Sequence, residues 1–376
     1  MAVFRLFPQD FEAVGSYRLI YPYGLIEQNT EHEVVVEVGQ RKGKKIELYM
    51  PDPEGEVPEE DIFVFQSRLE NDAARVVEWL VSEGKTVVVE LDDWWWDIPD
   101  GAPAHHALKV VEGISLKALR RQVSAATFVT VSTPKLAELV GDWNDNVHIL
   151  PNYLHRSDWE DITPSFEKER KQVRIGWMGR LRYRGRDLDV LRGIIGPWLE
   201  RHPECVFAQV GDEGTEVLDL LGIPEGQRLQ YQGQVFPKHA SPTSMIDIGL
   251  VPLEKSVFNE CKSHLKGMEY AACGIPCIAT PTGPYSEWVE EGVNGYLAAK
   301  PKDWFNALDM ALENWRELGR NAHRKVQAHM IDERWDEWLK PYGSILAAAD
   351  SSSKATSTST TLRKSSRTLS PALSST

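Results

Sequence analysis

Short apolar runs rich in β-branched residues alternate with amphipathic helical patterns along most of this chain. The runs include AVFRLF, HEVVVEV, DIFVFQ and TVVVELDD in the first half, and VRIGWMG, CVFAQVG, IDIGLVPL and IPCIATP in the second. Between two of these runs, the segment 68–84 places Ala73, Val76, Val77 and Leu80 at helical spacing. Strands that alternate with helices are typical of parallel sheets flanked by helices. The sequence therefore predicts an α/β fold.

A polar segment at 155–172, HRSDWEDITPSFEKERKQ, separates two series of such strands. With 376 residues the chain is long enough for two domains, and we predict them at 1–158 and 159–349. The Ser/Thr-rich remainder, 350–376, has too few apolar residues to form a core and is predicted to be disordered. Open α/β domains bind ligands at the carboxyl ends of their strands. Two such domains in tandem predict a ligand cleft between them.

The overall composition excludes some classes of function. The net charge of −14 argues against general affinity for nucleic acid, whose phosphates such a surface repels. No stretch approaches the ~20 apolar residues that cross a bilayer, and the first residues do not resemble a signal peptide. We therefore expect no membrane insertion and a cytoplasmic location, which is the host cytoplasm if the protein is viral. The four cysteines form no CxxC pair and are expected to be reduced.

The segment 262–276, KSHLKGMEYAACGIP, predicts a helix with one apolar and one charged side. At about 100° per residue, the predicted helix has an apolar stripe that contains Cys261, Leu265, Met268 and Ala272. A different stripe contains Lys262, Lys266 and Glu269. Gly274 suits the left-handed position after a helix, and Pro276 cannot continue one. Two ammonium groups and a carboxylate are therefore predicted at one side of a buried helix, next to a buried strand.

Three motifs of the second half resemble those of the retaining group 1 glycosyltransferases of GT-B fold, especially phage and bacterial members. They are RIGWMGR at 174–180, KSHLKGMEYAACGIPCIAT at 262–280 and GVNGYL at 292–297. The similarity covers about 173–338 and is weaker in the first half, where GSYRLIYPYGLI, VVVELDDWW and VSTPKLAELV carry it. The resemblance implies two facing Rossmann-like domains, an acceptor-binding one and a nucleotide-sugar-binding one. It also implies transfer of a sugar from a nucleotide-diphosphate sugar to an acceptor hydroxyl, with retention of anomeric configuration.

The resemblance also implies roles for residues of the 262–276 helix. Glu269 corresponds to the carboxylate that accepts hydrogen bonds from the nucleotide ribose hydroxyls, which suits a group with only acceptors. Lys262, Ser263 and Lys266 are placed in the first turns, where the helix dipole favours anions, and would bind the diphosphate or the sugar. Cys261 replaces the first glutamate of the family's usual pair, and this puts in question how the hydroxyls of the donor sugar are held.

Two loops supply further candidates for the donor phosphates. In the loop that follows the strand VRIGWMG, we assign Arg180 and Arg184 to the diphosphate, since family members carry a basic pair there and a leaving diphosphate needs fixed cations. Gly15, Tyr17 and Arg18 lie in the loop after the first strand, which in this family closes over the donor phosphates, and Gly15 and Arg18 are the candidates that we select there. Solvated arginines and an ordinary glycine turn are the structural alternatives.

Asp92 and Asp93 end the strand TVVVELDD and are the candidates for catalysis. We read one of them as positioning the acceptor hydroxyl, or as its base. A helix cap or a turn is the structural alternative, and a bare Asp-Asp pair is a weak signal for a divalent cation. We therefore expect no metal ion and no cofactor other than the nucleotide-sugar co-substrate.

The sequence leaves the donor base, the sugar, the oligomeric state and the acceptor open, and the acceptor could be a protein, a glycan, a lipid or a modified base. Two other functions also stay open. A nucleotide-sugar-binding protein without turnover would explain Cys261, and it would not release nucleotide diphosphate from the donor. An epimerase of the same fold would need no acceptor, so the products formed from donor alone would identify it.

We predict that transfer from the nucleotide sugar persists in excess EDTA. The reason is that, beyond Asp92-Asp93, the sequence has no spacing of His, Asp and Glu typical of a metal site. Product formation with and without EDTA measures this. Loss of activity in EDTA and its recovery with Mn²⁺ would contradict the prediction and make the aspartate pair metal ligands.

Overall fold

The computed structural model describes residues 1–347 except 38–39, 43–44, 48–49, 61, 101, 181–185 and 212–213. It contains one parallel sheet in each half of the chain, each flanked by helices. The α/β fold with two parallel-sheet domains, predicted from the sequence, is therefore confirmed. The tail at 350–376 and the position of Arg184 lie outside the described residues.

The strands of the first half form a parallel sheet in the order β2-β1-β5-β6-β7-β8, with a separate antiparallel hairpin, β3-β4. The strands are β1 (Val3–Phe7), β2 (Glu33–Val36), β3 (Gln40–Lys42), β4 (Lys45–Glu47), β5 (Ile62–Gln66), β6 (Thr86–Leu91), β7 (Phe128–Val131) and β8 (Val147–Ile149). The residues of β5 and β7 are buried throughout. This explains why these strands read as continuous apolar runs and not as alternating patterns.

Helices connect these strands. They are α1 (Ala13–Gly15), α2 (Tyr21–Asn29), α3 (Asn71–Ser82), α4 (Pro103–Val110), α5 (Leu116–Ala125) and α6 (Pro134–Val140). A π-helical turn, Ser16–Ile20, joins α1 to α2, and a 3₁₀ turn, Trp95–Asp97, follows β6. The predicted helix at 68–84 is α3, and Ala73, Val76, Val77 and Leu80 are its buried side, as their spacing indicated.

The second sheet has the order β11-β10-β9-β12-β13-β14, again with parallel pairing. Its strands are β9 (Val173–Gly179), β10 (Cys205–Gly211), β11 (Arg228–Gln232), β12 (Ile248–Val251), β13 (Cys277–Ala279) and β14 (Gly295–Leu297). Its helices are α7 (Ile195–Arg201), α8 (Glu216–Leu220), α9 (Ala240–Thr243), α10 (Val257–Glu260), α11 (Leu265–Ala272), α12 (Tyr285–Trp288) and α13 (Pro301–Val326).

The helix predicted at 262–276 is shorter at its start than its pattern indicated. It is α11, which begins at Leu265, and Lys262 and Ser263 lie before it in the connection from α10. Their placement in the first turns of this helix was wrong. The physical reason is a contact between domains, because the carbonyl of Cys261 accepts a hydrogen bond of 2.8 Å from the hydroxyl of Thr133. The end is as predicted, with Gly274 at φ 68°.

Buried side chains of each domain extend into the core of the other. Cys261 packs in the cluster of the first sheet that contains Val131 and Leu136. In the opposite direction, Tyr17 packs in the cluster of the second sheet that contains Met178 and Tyr270. The two domains therefore share apolar packing as well as hydrogen bonds.

After α13 the chain returns to the first domain. The 3₁₀ helix Trp335–Tyr342 buries Trp338 and Tyr342 against Phe4 and Tyr23 of the first domain. This packing corrects the predicted domain boundary, which put the segment in the second domain. The returning segment runs beside the segment that leads from the first domain to the second. The backbone of Leu154 hydrogen bonds to that of His329 and Ile331, at 3.0 and 2.8 Å.

We predict that Trp338→Ala lowers the free energy of unfolding by about 3–5 kcal/mol, because it leaves a large cavity in the core of the first domain. Lys340→Ala is the matched control in the same 3₁₀ helix, where the lysine side chain is 67% exposed, and should change stability by less than about 0.5 kcal/mol. Urea denaturation followed by circular dichroism measures both. Equal free energies of unfolding for the two variants would show that the returning segment does not stabilise the first domain.

Candidate active site

A cavity of about 470 Å³ lies between the two domains, at the carboxyl ends of their strands. The first domain lines it with residues that include Gln9, Val14, Asp92, Asp93 and Trp95. The second domain lines it with residues that include Asp187, Lys262, Ser263, Lys266 and Glu269. The structure therefore brings together the aspartate pair and the four candidates of the 262–269 stretch, which the sequence places far apart.

Glu269 lies on α11 and is 7% exposed. Lys266 Nζ is 3.7 Å from its Oε2, and His239 Nε2 is 3.4 Å from its Oε1. The hydroxyl of Tyr17, from the first domain, lies 3.3 Å from the same nitrogen of His239. Burial, together with the nearby charge of Glu269, raises the pKa of Tyr17 well above its ordinary value, so the phenol keeps its proton and donates it.

Lys262 connects the domains through an ion pair. Its Nζ is 3.0 Å from Oδ1 of Asp93 and 4.0 Å from the centre of the Phe258 ring. The lysine side chain is partly buried, and the aspartate is more exposed. A partly screened pair of this kind contributes little to stability, which leaves the ammonium able to exchange one anionic partner for another.

Asp92 is held by an asparagine that the sequence analysis did not select. The amide nitrogen of Asn152 donates to Asp92 Oδ1 at 3.0 Å and to Ser263 Oγ at 2.8 Å. Its oxygen accepts from Arg18 Nη1 at 3.0 Å. Because a guanidinium can only donate, Arg18 fixes the orientation of the amide, and the NH₂ group faces Asp92 and Ser263. One buried amide therefore joins the acidic residue of one domain to the loop of the other.

Arg18 does not reach the cavity, and its assignment to the donor phosphates was wrong. Its side chain is fully buried, its Nε donates to Glu90 Oε1 at 2.6 Å, and its Nη1 also donates to the carbonyl of Leu150. Burial raises the pKa of Glu90 although the charge of Arg18 acts to lower it. The physical reason for the error is that a loop predicted after β1 is helical, and the π-helical turn at 16–20 directs Arg18 into the core.

The other candidates for the donor phosphates differ in how close to the cavity they lie. Gly15 packs so closely that an added Cβ would lie 1.9 Å from the carbonyl oxygen of Asp10, and its neighbour Val14 lines the cavity. Arg180 is exposed just after β9 and is not among the described residues that line the cavity. Arg184 lies outside the described residues. Cys261 is buried in the core of the first domain, and burial raises the pKa of its thiol to about 12.

Sequence reasoning missed His239 and Asn152. Asn152 had a usable signal, because it follows the run VHIL at the carboxyl end of a strand, where ligand-binding residues collect. Tyr17 was named beside Gly15 and Arg18, but its packing in the core of the second domain could not be predicted from that position. His239 had no such signal, since it lies in an irregular loop whose position depends on the packing of Phe236 and Trp159.

In the described part of the chain, no group of three or more His, Cys, Asp or Glu side chains is arranged to hold a metal ion. The same residues contain no helix with the length and apolar content that a membrane span requires.

Two parallel-sheet domains that face each other across a cavity at their strand ends define the GT-B class of α/β fold, which confirms the predicted architecture. Residues 172–314 match the family of glycosyl transferases group 1. The second domain is therefore similar to the group 1 glycosyltransferases, as its motifs indicated. The putative teichuronic acid biosynthesis glycosyltransferase TuaH of Bacillus subtilis (strain 168) is 28% identical over 133 residues, which are 32% of this chain. The matched part spans about a third of TuaH, 33% of its length.

Solved structures share the fold over nearly the whole chain. Sucrose-phosphate synthase from Thermosynechococcus elongatus has a TM-score of 0.60 at 14% identity and covers 93% of this chain and 100% of its own. A glycosyltransferase from Rickettsia africae ESF-5 has a TM-score of 0.62 at 14% identity and covers 92% and 98%. HepE of Anabaena, in complex with UDP and glucose, has a TM-score of 0.57 at 16% identity and covers 93% and 100%. At these identities the similarity shows the fold.

We predict that Arg18→Met destabilises the protein by about 3–5 kcal/mol, because it leaves Glu90 buried without its charged partner. Replacing both members, Arg18→Met with Glu90→Leu, should recover part of this loss, since an apolar pair carries no buried charge. Denaturation curves of the parent and both variants measure it. An Arg18→Met protein that keeps its stability and loses nucleotide affinity would restore the phosphate-binding role.

Proposed function

We propose that this protein is a glycosyltransferase that transfers a sugar from a nucleotide-diphosphate sugar to an acceptor hydroxyl. The observation that carries the proposal is the position of Glu269, Lys262 and Lys266 at one cavity, within the segment that matches the group 1 family. A carboxylate and two ammonium groups match the two chemical features of a nucleoside diphosphate, its ribose hydroxyls and its charged phosphates.

On the donor side, we assign Glu269 to the ribose hydroxyls, and Lys266, Lys262 and Ser263 to the diphosphate or the sugar. Structures of HepE contain UDP and UDP-glucose, and this supports a uridine nucleotide as the first donor to test. A diphosphate carries more negative charge than the single carboxylate of Asp93, so it can draw Lys262 away from that ion pair. Arg180, at the end of β9, is a further cation at the same edge of the second sheet.

On the acceptor side, we assign Asp92 to the acceptor hydroxyl, in the orientation that Asn152 fixes. During transfer, the acceptor oxygen forms a bond to the anomeric carbon while the bond from that carbon to the diphosphate oxygen breaks. With retention, the leaving phosphate lies on the same face as the acceptor and takes up the acceptor proton. The products are the glycoside and the nucleotide diphosphate, and the lysine ammonium groups stabilise the leaving charge in place of a metal ion. We further propose that the reaction occurs in the cytoplasm.

A binding protein without turnover is the second candidate, because Cys261 replaces the family's first glutamate. Its thiol lies in the core of the first domain, and Cys261 is not among the described residues lining the cavity. The cavity therefore lacks the carboxylate that this position usually supplies. Incubation with UDP-, GDP- and dTDP-sugars, followed by mass spectrometry, distinguishes the two, since only an enzyme releases nucleotide diphosphate and forms a product one sugar heavier.

We predict that Glu269→Gln and Lys266→Ala each weaken binding of the donor nucleotide about 10- to 150-fold, since hydrogen bonds to charged groups contribute roughly 1.5–3 kcal/mol. The isosteric Glu269→Gln is preferred because the carboxylate is buried and not a surface charge. Titration calorimetry with UDP, alongside thermal melts, measures both effects.

The matched control is Met268→Ala on the same helix, whose side chain is fully buried in the core of the second domain. It should cost about 2–5 kcal/mol of stability and leave nucleotide affinity in the folded protein unchanged. Leu265, placed on the apolar stripe by the sequence, is a poorer control because it is only partly buried and lines the cavity. If Glu269→Gln binds UDP as the parent does, Glu269 has no role in the nucleotide site.

A further inference from the structure

Tyr17 is a residue of the first domain that lies inside the second. Its ring is 2% exposed, packs in the core cluster of the second sheet, and stands edge-on to Phe236 with ring centres 5.2 Å apart. Its hydroxyl lies 3.3 Å from His239 Nε2, and this nitrogen lies 3.4 Å from Glu269 Oε1. A residue from the acceptor-side domain therefore reaches, through His239, the carboxylate that we assign to the nucleotide ribose.

His239 completes this contact from the second domain. Its Nε2 faces both the hydroxyl of Tyr17 and Oε1 of Glu269, at 3.3 and 3.4 Å. The imidazole is held between two rings, stacked on Phe236 at 5.1 Å and edge-on to Trp159 at 5.0 Å. Because the ring is fixed on these sides, its Nε2 keeps a defined position between the hydroxyl of Tyr17 and the carboxylate of Glu269.

We infer that Tyr17 and His239 are positioning residues that orient the carboxylate of Glu269 towards the ribose hydroxyls. His239 approaches Oε1 of the carboxylate and Tyr17 approaches His239, so together they limit the orientations that the carboxylate can adopt. The inference rests on the proposed function, because it assumes that Glu269 binds the ribose. It adds that the ribose site is complete only when the first domain is closed on the second, since Tyr17 belongs to the first domain.

The test compares two nucleotides and two tyrosines. UDP carries the 2′ and 3′ hydroxyls of the ribose, and 2′,3′-dideoxy-UDP lacks both. Tyr17→Phe removes only the hydroxyl that contacts His239. Tyr21→Phe is the matched control one helical turn on, because Tyr21 also packs near Phe236, at 5.8 Å, but its hydroxyl donates to Asp158 and not to His239. Calorimetry on the full chain gives the dissociation constants.

We expect Tyr17→Phe to weaken UDP binding about 3- to 10-fold, the effect of one neutral hydrogen bond, and to leave dideoxy-UDP binding unchanged. Tyr21→Phe should bind both nucleotides as the parent does. A Tyr17→Phe protein that binds UDP as tightly as the parent would overturn the inference, and so would equal weakening for both nucleotides, which would indicate an effect on domain packing alone.

The failure of the proposed function gives a different result. If the parent itself binds UDP and dideoxy-UDP equally, then Glu269 does not bind the ribose hydroxyls. Both the assignment of Glu269 and this inference are then wrong. If Glu269→Gln loses preference for UDP over dideoxy-UDP and Tyr17→Phe keeps it with parental affinity, only the inference about Tyr17 is wrong. Thermal melts of each variant confirm that the proteins compared are folded.

Discussion

The acidic side of the cavity depends on the buried ion pair of Arg18 and Glu90. A buried charge without a partner costs several kcal/mol, so these two groups must stay together in the folded protein. Arg18 then fixes the amide of Asn152, and the amide in turn fixes Asp92 and contacts Ser263 of the other domain. The position of a cavity carboxylate is thus determined by a charge pair that does not itself line the cavity.

The strands, and the residues at their carboxyl ends, could be read from the sequence because parallel strands in a covered sheet are continuous apolar runs. Asp92 and Asp93 could be selected in this way, and the structure places them at the same cavity as the cluster around Glu269. The errors all involve contacts between distant segments. The start of α11 depends on Thr133, and the burial of Arg18 depends on Glu90 and Asn152. Periodicity describes one element at a time, so it contains no information about these partners.

Cys261 and Tyr17 show how closely the domains are integrated. Cys261 extends the core of the first domain, and Tyr17 extends that of the second. A glutamate at position 261 would place a charge in an apolar cluster, at a cost of several kcal/mol. The cysteine therefore fits an arrangement in which this loop packs against the partner domain, and its presence changes the domain contact as well as the chemistry available to the cavity.

Because the chain returns to the first domain, the second domain is an insertion. Two segments of the chain connect it to the first domain, one going out and one coming back. These segments run side by side and are hydrogen bonded to each other at Leu154, through His329 and Ile331. A single linker would let the domains twist and slide as well as open. Two linkers that are hydrogen bonded to each other resist this rotation. They therefore help to keep Tyr17 of the first domain aligned with the site around Glu269 in the second.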